Sequence, residues 1–328
     1  MVRAQSSIRS TAGNAVIPTP RRLEWPAVGI VVATRKCPHL VRRALASVSQ
    51  QDYPGPMRVV VVYDGVVPDW RLARGGQRPV LVLENWRTRG LAGARNTGIL
   101  AAGDCEFVAL CDDDVTWAPS KLTTQISAMR ARPGTLFATC AVEIEYDGGR
   151  TPQLLRRTEI DVAHLTAVGA RALRASGYLA HQDALATVPA RGGIGLLAEQ
   201  GPPGAEEWDL LMRAARRAPI LHTDIPLVQV LWRPLPMDAA SCAGQGTALR
   251  WMIERHPELR RHAARVHAEI ACWEAAAGNR WAAWESVAVA LRTRWYEPRT
   301  ARALAAATGL LAPRQLKAML QRGRGPLI

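Results

Sequence analysis

The stretch Phe107–Leu122, FVALCDDDVTWAPSKL, decides how the chain is read. Phe107–Cys111 is a short apolar run with the composition of a buried strand, preceded by Gly103-Asp104. It stops abruptly at three adjacent carboxylates, Asp112, Asp113 and Asp114. Trp117 and Pro119 then lead into a helical pattern from Ser120. Neighbouring carboxylates repel one another, and burying a polar group without a partner costs about 2–7 kcal/mol, more for a charge. Two readings stand at this point. Asp and Ser are favoured helix caps, so the triplet reads as a solvated acidic turn before Ser120. It reads equally as a cation site, because hard carboxylate oxygens suit magnesium or manganese and a diphosphate completes such a shell.

Upstream, Val28–Ala33 (VGIVVA) and Arg58–Tyr63 (RVVVVY) are β-branched runs expected of strands buried on both faces, and Pro79–Glu84 (PVLVLE) is a third. A helical pattern runs from Pro38 through Leu40, Ala44, Leu45 and Val48 until Tyr53-Pro54-Gly55-Pro56 breaks it. Gly90–Gly98 enters a helix that reaches Ala102. Strand, helix and strand at this spacing predict a parallel α/β sheet. Ligands of such sheets sit beyond the carboxyl ends of the strands. Asp64 closes the second strand as Asp112–Asp114 close the fourth, so the four acids are expected in one crevice. That placement favours a site over a capped turn.

Downstream, the pattern predicts a helix over Ser120–Arg132 and a strand over Thr135–Tyr146. A helix is expected around His164–Ala175 and a strand around Ala184–Pro189. Arg191–Gly195 (RGGIG) and Gly201–Gly204 are glycine-rich loops. The second precedes an amphipathic helix opened by Glu206, Glu207, Trp208 and Asp209. Pro219–Trp232 reads as two short strands around Pro226. From about Thr247, Ala, Arg, Leu and Trp recur at helical spacing and predict an appendage of three or four helices. The organisation expected is a flexible leader over 1–26, an α/β domain over 27–246 and a basic helical region over 247–328.

Composition narrows the chemistry. The 328 residues are 48% hydrophobic and carry a net charge of +14, almost wholly from arginine, since the lysines are Lys36, Lys121 and Lys317. Between Arg250 and Ile328 stand 14 Arg/Lys against 6 Asp/Glu. Such an excess suits nucleic acid, an anionic membrane surface or phosphorylated substrates, and also an ordinary solvated helix face. No apolar run approaches the roughly 20 residues of a membrane helix. The six cysteines form no C-x-x-C pair, so a reduced cytoplasmic setting is expected, extending to the inner face of the membrane. Neither a G-x-x-x-x-G-K-[ST] loop nor a G-x-S-x-G elbow occurs, and Gly90–Gly98 lacks G-x-G-x-x-G spacing.

Taken together, VGIVVATRK, RALASVSQQDYPGPMRVVVVYDG, GLAGARNTGILAAGDCEFVALCDDDVTWAPSKL, RGGIG and EEWDLLMRAARR resemble the family 2 glycosyltransferases of the GT-A fold, in that family's order. The resemblance spans about Val28 to Arg233 and leaves the helical tail outside. It implies an α/β, Rossmann-like, mostly parallel sheet and transfer of a sugar from a nucleoside-diphosphate sugar, with a UDP-sugar as first expectation. It places Ala33, Thr34, Arg35 and Asp64 at the base and ribose, Arg95 and Asn96 facing the donor, and Asp112 or Asp113 toward the ribose. Asp114, with Asp112, falls on a divalent metal, Mn2+ or Mg2+. Glu206 and Glu207 fall on the acid pair whose second member is the catalytic base. Trp208, Gly192, Gly193 and His181 are the acceptor-side candidates.

The chain departs from the pattern in four places. Tyr63-Asp64-Gly65-Val66 keeps only the second acid of Asp-Asp-Gly-Ser. The base position holds glutamate, one methylene longer than aspartate. Ile194 replaces the aromatic after the paired glycines, and no histidine stands beside Trp232-Arg233. Chemically, sugar transfer needs charge neutralised on the departing diphosphate and a carboxylate to take the acceptor's proton. One displacement with a single base inverts the anomeric centre and needs no nucleophilic carboxylate. The acceptor is a hydroxyl on a glycan, a lipid-linked precursor or a small natural product, with no nucleic acid expected. The alternative is an inactive GT-A relative whose basic tail binds anionic membrane or nucleic acid.

Overall fold

A computed structural model describes residues 25–35, 38–169, 173–232 and 237–322. The elements in order are β1 (Val28–Thr34), α1 (Pro38–Ser49), β2 (Met57–Tyr63), β3 (Val80–Glu84), α2 (Leu91–Ala101), β4 (Phe107–Asp112), β5 (Val115–Trp117) and α3 (Lys121–Arg130). They continue with β6 (Phe137–Tyr146), β7 (Gly149–Gln153), β8 (Glu159–Ile160), α4 (Val162–Val168), β9 (Leu179–His181), α5 (Gln182–Ala186), α6 (Glu206–Arg217) and β10 (Ile220–Leu231). The helices α7 (Ala239–Arg255), α8 (Ala263–Ala277), α9 (Arg280–Thr293), α10 (Pro298–Thr308) and α11 (Pro313–Arg322) close the chain.

One sheet runs β3-β2-β1-β4-β9-β6-β10-β5, with β7 added beside β6 and β8 beside β10. The first four strands are parallel, and so are β6 and β10, whereas β9 is antiparallel to both β4 and β6. Because β1 is buried along its whole length, its side chains feed two cores. Val28, Ile30 and Val32 pack with α1 and α3, and Val31 packs with α2, α5 and α6. The expected mixed α/β plan with a mostly parallel sheet is therefore what forms. Gly98 is a close-approach position: a Cβ there would lie 2.2 Å from Val31 Cγ1. That contact lets α2 lie tight on β1 and carries its first turns to the carboxyl end of the sheet.

Several expected elements differ. The segment 184–189 is not a strand, because the strand falls on Leu179–His181 and α5 follows at once. Of the helix placed around His164–Ala175, α4 supplies the part up to Val168, and residues 170–172 lie outside the described residues. Asp161 caps α4 through His164 N at 2.7 Å, and Gly169, with φ of 76°, ends it. Pro226 does not split two strands. It lacks an N–H for the ladder, so β10 continues past it with shifts of register against β6. The appendage has five α-helices among the described residues, and the one containing Thr247 begins at Ala239. Of the supposed leader, residues 1–24 lie outside the described residues. Trp25 instead packs edge-on against Tyr53, whose hydroxyl donates to the Pro26 carbonyl at 2.5 Å.

Candidate active site

The carboxyl ends of β2, β1 and β4 lie side by side, with Thr34 opposite Tyr63 and Ala33 opposite Asp112. Neighbouring strands are about 4.8 Å apart, so Asp64 and the acidic triplet sit within roughly 10 Å. Thr34 links them. Its carbonyl accepts the Asp64 N–H at 3.0 Å, and its Oγ1 donates to Asp113 Oδ2 at 2.5 Å. The buried Asp64 carboxylate accepts Arg35 Nε at 2.8 Å, Asn85 Nδ2 at 2.8 Å and Gly90 N at 3.1 Å. Burial alone would raise its pKa. The Asn85 amide, the Gly90 N–H and the Arg35 guanidinium overcome that and hold it below the usual carboxylate range. A cavity of about 720 Å3, lined by Arg35, Arg42, Tyr63, Val66, Asp69 and Trp70, opens beside this acid.

Within the triplet the three acids have separate fates. Asp112 accepts Arg95 Nη2 at 2.6 Å on one oxygen and Ser176 Oγ at 2.6 Å on the other. These partners outweigh its burial and keep it below the ordinary range. Asp113 and Asp114 are pushed upward, first by burial and then by adjacent negative charge, which takes Asp114 to about 6. Arg95 is almost inaccessible, and its second arm reaches Glu207 at 2.8 Å. One guanidinium therefore joins the end of β4 to the start of α6. Glu206, beside it, is buried and turns back to accept Gly204 N at 2.6 Å, whereas the Glu207 side chain is 27% exposed.

Other expected site residues lie elsewhere. Asn96 does not face an open cleft: it is fully buried, gives its amide to the Leu197 carbonyl at 2.9 Å and to Glu199, and accepts Leu197 N. His181 pairs with Phe107 at the start of β4, and its ring stacks on Phe107 at 4.2 Å between centroids. Five strand residues, roughly 16 Å, separate that position from Asp112. Gly192 and Gly193 lie at the far end of α6, where the Gly193 carbonyl accepts Arg217 Nε at 3.2 Å, about 15 Å along the axis from Glu207. A Cβ on Gly193 would come within 1.9 Å of the Thr187 carbonyl, so turn packing accounts for the glycine. Trp208 packs into the core on the α6 side, with its indole N–H buried and unpartnered among the described residues.

The structure also supplies residues that the sequence reading omitted. Asn85 follows β3 and could have been found from its place at a strand end. Ser176 and Arg174 come from a segment without readable periodicity. Arg174 makes no ion pair among the described residues and its Nε is buried without a partner, yet its charge bears on Asp112 and Asp114. No group of three or more His, Cys, Asp or Glu side chains converges as a complete cage among the described residues. A cation held by this chain would thus rely on Asp113 and Asp114, whose crowded oxygens fit a hard divalent ion, with further ligands from a diphosphate or water.

The sequence profile of Glycosyl transferase family 2 matches residues 29–179, which contain β1 through β4 and the whole acidic triplet. These residues are a family 2 glycosyltransferase domain. Searched against curated proteins, the chain finds no match. Its fold is similar to that of S. aureus TarS residues 1–349, with a TM-score of 0.59 at 16% identity, over 90% of this chain and 92% of that one. The same protein solved with UDP-GlcNAc gives 0.58 at 14% identity, over 91% and 92%. A mannosyltransferase from Pyrobaculum calidifontis, solved with GDP-Man and Mn2+, gives 0.51 at 18% identity, over 92% and 86%. The chain thus carries the GT-A fold followed by C-terminal helices. Among the described residues no helix is long and apolar enough to cross a membrane.

Proposed function

We propose that the protein is an inverting glycosyltransferase that moves a sugar from a nucleoside-diphosphate sugar to a hydroxyl acceptor. The carrying observation is the Asp112–Arg95–Glu207 bridge, which sets a carboxylate facing the strand-end acids. The donor's base and ribose belong beside Asp64, Thr34 and Arg35, in the cavity at the ends of β1 and β2. Similar folds solved with UDP-GlcNAc and with GDP-Man and Mn2+ support a nucleotide sugar and a divalent ion here. Asp114 and Asp113 would hold that ion, which supplies Lewis-acid stabilisation to the departing diphosphate. Asp112, committed to Arg95 and Ser176, orients the cluster. Arg174 adds a cation on the same side.

In the transfer, the bond from the anomeric carbon to the diphosphate oxygen breaks as the acceptor oxygen bonds to the opposite face. The acceptor's proton passes to Glu207. Three features support Glu207 over Glu206: its partial exposure, its place at a helix N-terminus that favours a carboxylate, and the commitment of Glu206 to its own loop. A glycan, a lipid-linked precursor or a small molecule is the acceptor class, in a cytoplasmic setting that agrees with the buried free thiols of Cys105, Cys111, Cys140, Cys242 and Cys272. A panel of nucleotide sugars, read by nucleoside-diphosphate release, identifies the donor. Glu207→Gln should keep donor binding and slow transfer by about 100-fold or more, with Glu206→Gln milder. A Glu207→Gln enzyme that turns over normally while Glu206→Gln is dead would move the base by one residue.

A further inference from the structure

The helical appendage carries a surface that sugar transfer does not use. On α9, Ala283, Ser286, Val287 and Ala290 are buried, so this stripe faces the neighbouring helices. A flanking stripe exposes Trp281, Trp284 and Leu291, at spacings that keep all three on one side, and the Trp281 indole N–H donates to Glu285 at 3.0 Å. Trp281 is 79% exposed, and Trp295, just past the helix end, is 77% exposed beside the exposed Tyr296. At the other end Arg280 donates to the Thr308 carbonyl at 2.7 Å and so seats the turn bearing exposed Leu310 against the start of α9. The result is an apolar and aromatic band about 21 Å long. Large apolar side chains gathered on one soluble surface mark an interaction site.

Charge says what the band meets. From Arg280 to Leu320 the exposed cations are Arg280, Arg292, Arg294, Arg299 and Arg314, against exposed Glu285 and half-buried Glu297. A surface of this kind repels a second copy of itself and attracts a polyanion. The aromatics are interspersed with the exposed aliphatic Leu291 and Leu310, which offer a nucleic-acid base nothing to stack on. Trp and Tyr prefer the boundary between headgroups and acyl chains, where an apolar ring and a polar N–H or O–H are both satisfied. Arginine covers apolar surface with its stem while its guanidinium reaches phosphate. We propose that the exposed face of α9, with Trp295, Tyr296 and the Leu310 turn, docks on an anionic phospholipid bilayer.

Docking would also orient the active site. Asp209, two residues after Glu207, is fully buried between Arg213 of its own helix and Arg255 and His256 at the end of α7. The appendage and the helix that begins with the proposed base are therefore tied together through Asp209.

The test is flotation of the full chain with vesicles of phosphatidylcholine alone and of phosphatidylcholine mixed with phosphatidylglycerol. The protein should float with the anionic vesicles, release at high salt and ignore the neutral ones. A Trp281→Ala/Trp284→Ala/Trp295→Ala variant should bind at least roughly tenfold more weakly, and Arg292→Gln/Arg294→Gln should lose the preference for anionic lipid. Unchanged thermal melting shows that these surface changes leave the fold intact. No flotation, equal flotation with both vesicles, or wild-type binding by the tryptophan variant would each overturn the proposal. Without flotation, an oligonucleotide shift or a concentration-dependent dimer sensitive to the same substitutions would reassign the face.

Discussion

Arg174 and Asp114 meet at the same acids but stand on opposite sides of the charge balance. Asp114 belongs to a crowded triplet, so its negative charge is unfavourable in the protein without a cation. Asp114→Asn should raise the melting temperature of the metal-free protein by about 2–4 °C, the shift that roughly 1 kcal/mol produces. The same change should remove any further rise on adding Mn2+ and abolish transfer. A variant that melts lower than wild type without metal would contradict this account of the cluster. Arg174 offsets the charge of Asp112 and Asp114 without a direct ion pair among the described residues, so Arg174→Ala should lower the melting temperature only modestly. If its guanidinium contacts the diphosphate, nucleoside-diphosphate affinity should fall roughly 10–100-fold, the worth of a hydrogen bond to a charged group. Isothermal titration with the product nucleotide checks it, and unchanged affinity removes Arg174 from the site.

At the scale of elements, the position of Glu207 is set by how α6 is anchored. Arg213 ties the middle of the helix to the loop before it, donating to the carbonyls of Gly195 at 3.1 Å and Leu196 at 2.8 Å. Asn96 of α2 grips the next residues of that loop. Asp209 then joins α6 to α7 through Arg255 Nε at 2.7 Å and His256 Nε2 at 3.0 Å. Burial would raise the Asp209 pKa, but His256, Arg213 and Arg255 hold it far below the usual carboxylate range. Its folded pKa is depressed, so its stabilisation is complete above the unfolded value of about 3.9 and is lost as pH falls below it. Asp209→Ala leaves three cationic or polar partners uncompensated and should cost about 3–5 kcal/mol at neutral pH. Urea unfolding at several pH values should show that gap narrowing below about pH 4. A gap independent of pH would mean that packing, not charge, explains the loss.

For the whole molecule, the sheet places Asp64 and the acidic triplet together, and the helical tail buttresses from behind the helix that begins with Glu206 and Glu207. The tail has its own alanine-rich core around the buried Trp273, while Ala248 and Met252 of α7 belong to the core of the α/β domain. The ligands of the site should therefore stabilise the protein as a unit. A nucleoside diphosphate with Mn2+ at about 100 times its dissociation constant adds roughly 2.7 kcal/mol, a rise of several degrees in melting temperature. Differential scanning fluorimetry across uridine, guanosine, adenosine and cytidine diphosphates reads the preferred base directly. No rise with any of them would argue against the nucleotide-sugar reading.

The strand plan and the carboxylates at strand ends were legible in the amino-acid sequence. Continuous β-branched runs have few alternatives to buried parallel strands, and a run that ends in acid puts that acid at the carboxyl edge, where ligands sit. Asp64 and Asp112–Asp114 follow from local pattern alone, and Thr34 from the family resemblance. Only the tertiary structure decided which way the other side chains turn. Arg95 meets Glu207 from 112 residues away and Asn96 meets Leu197 from 101, and no periodicity encodes either contact. For the same reason His181 and the paired glycines, adjacent to motifs along the chain, fell away from the site. A strand's direction and a helix's length, rather than closeness in sequence, set their distance from it. How two adjacent glutamates turn was likewise decided in space, where Glu206 is turned into its own loop and Glu207 pairs with Arg95.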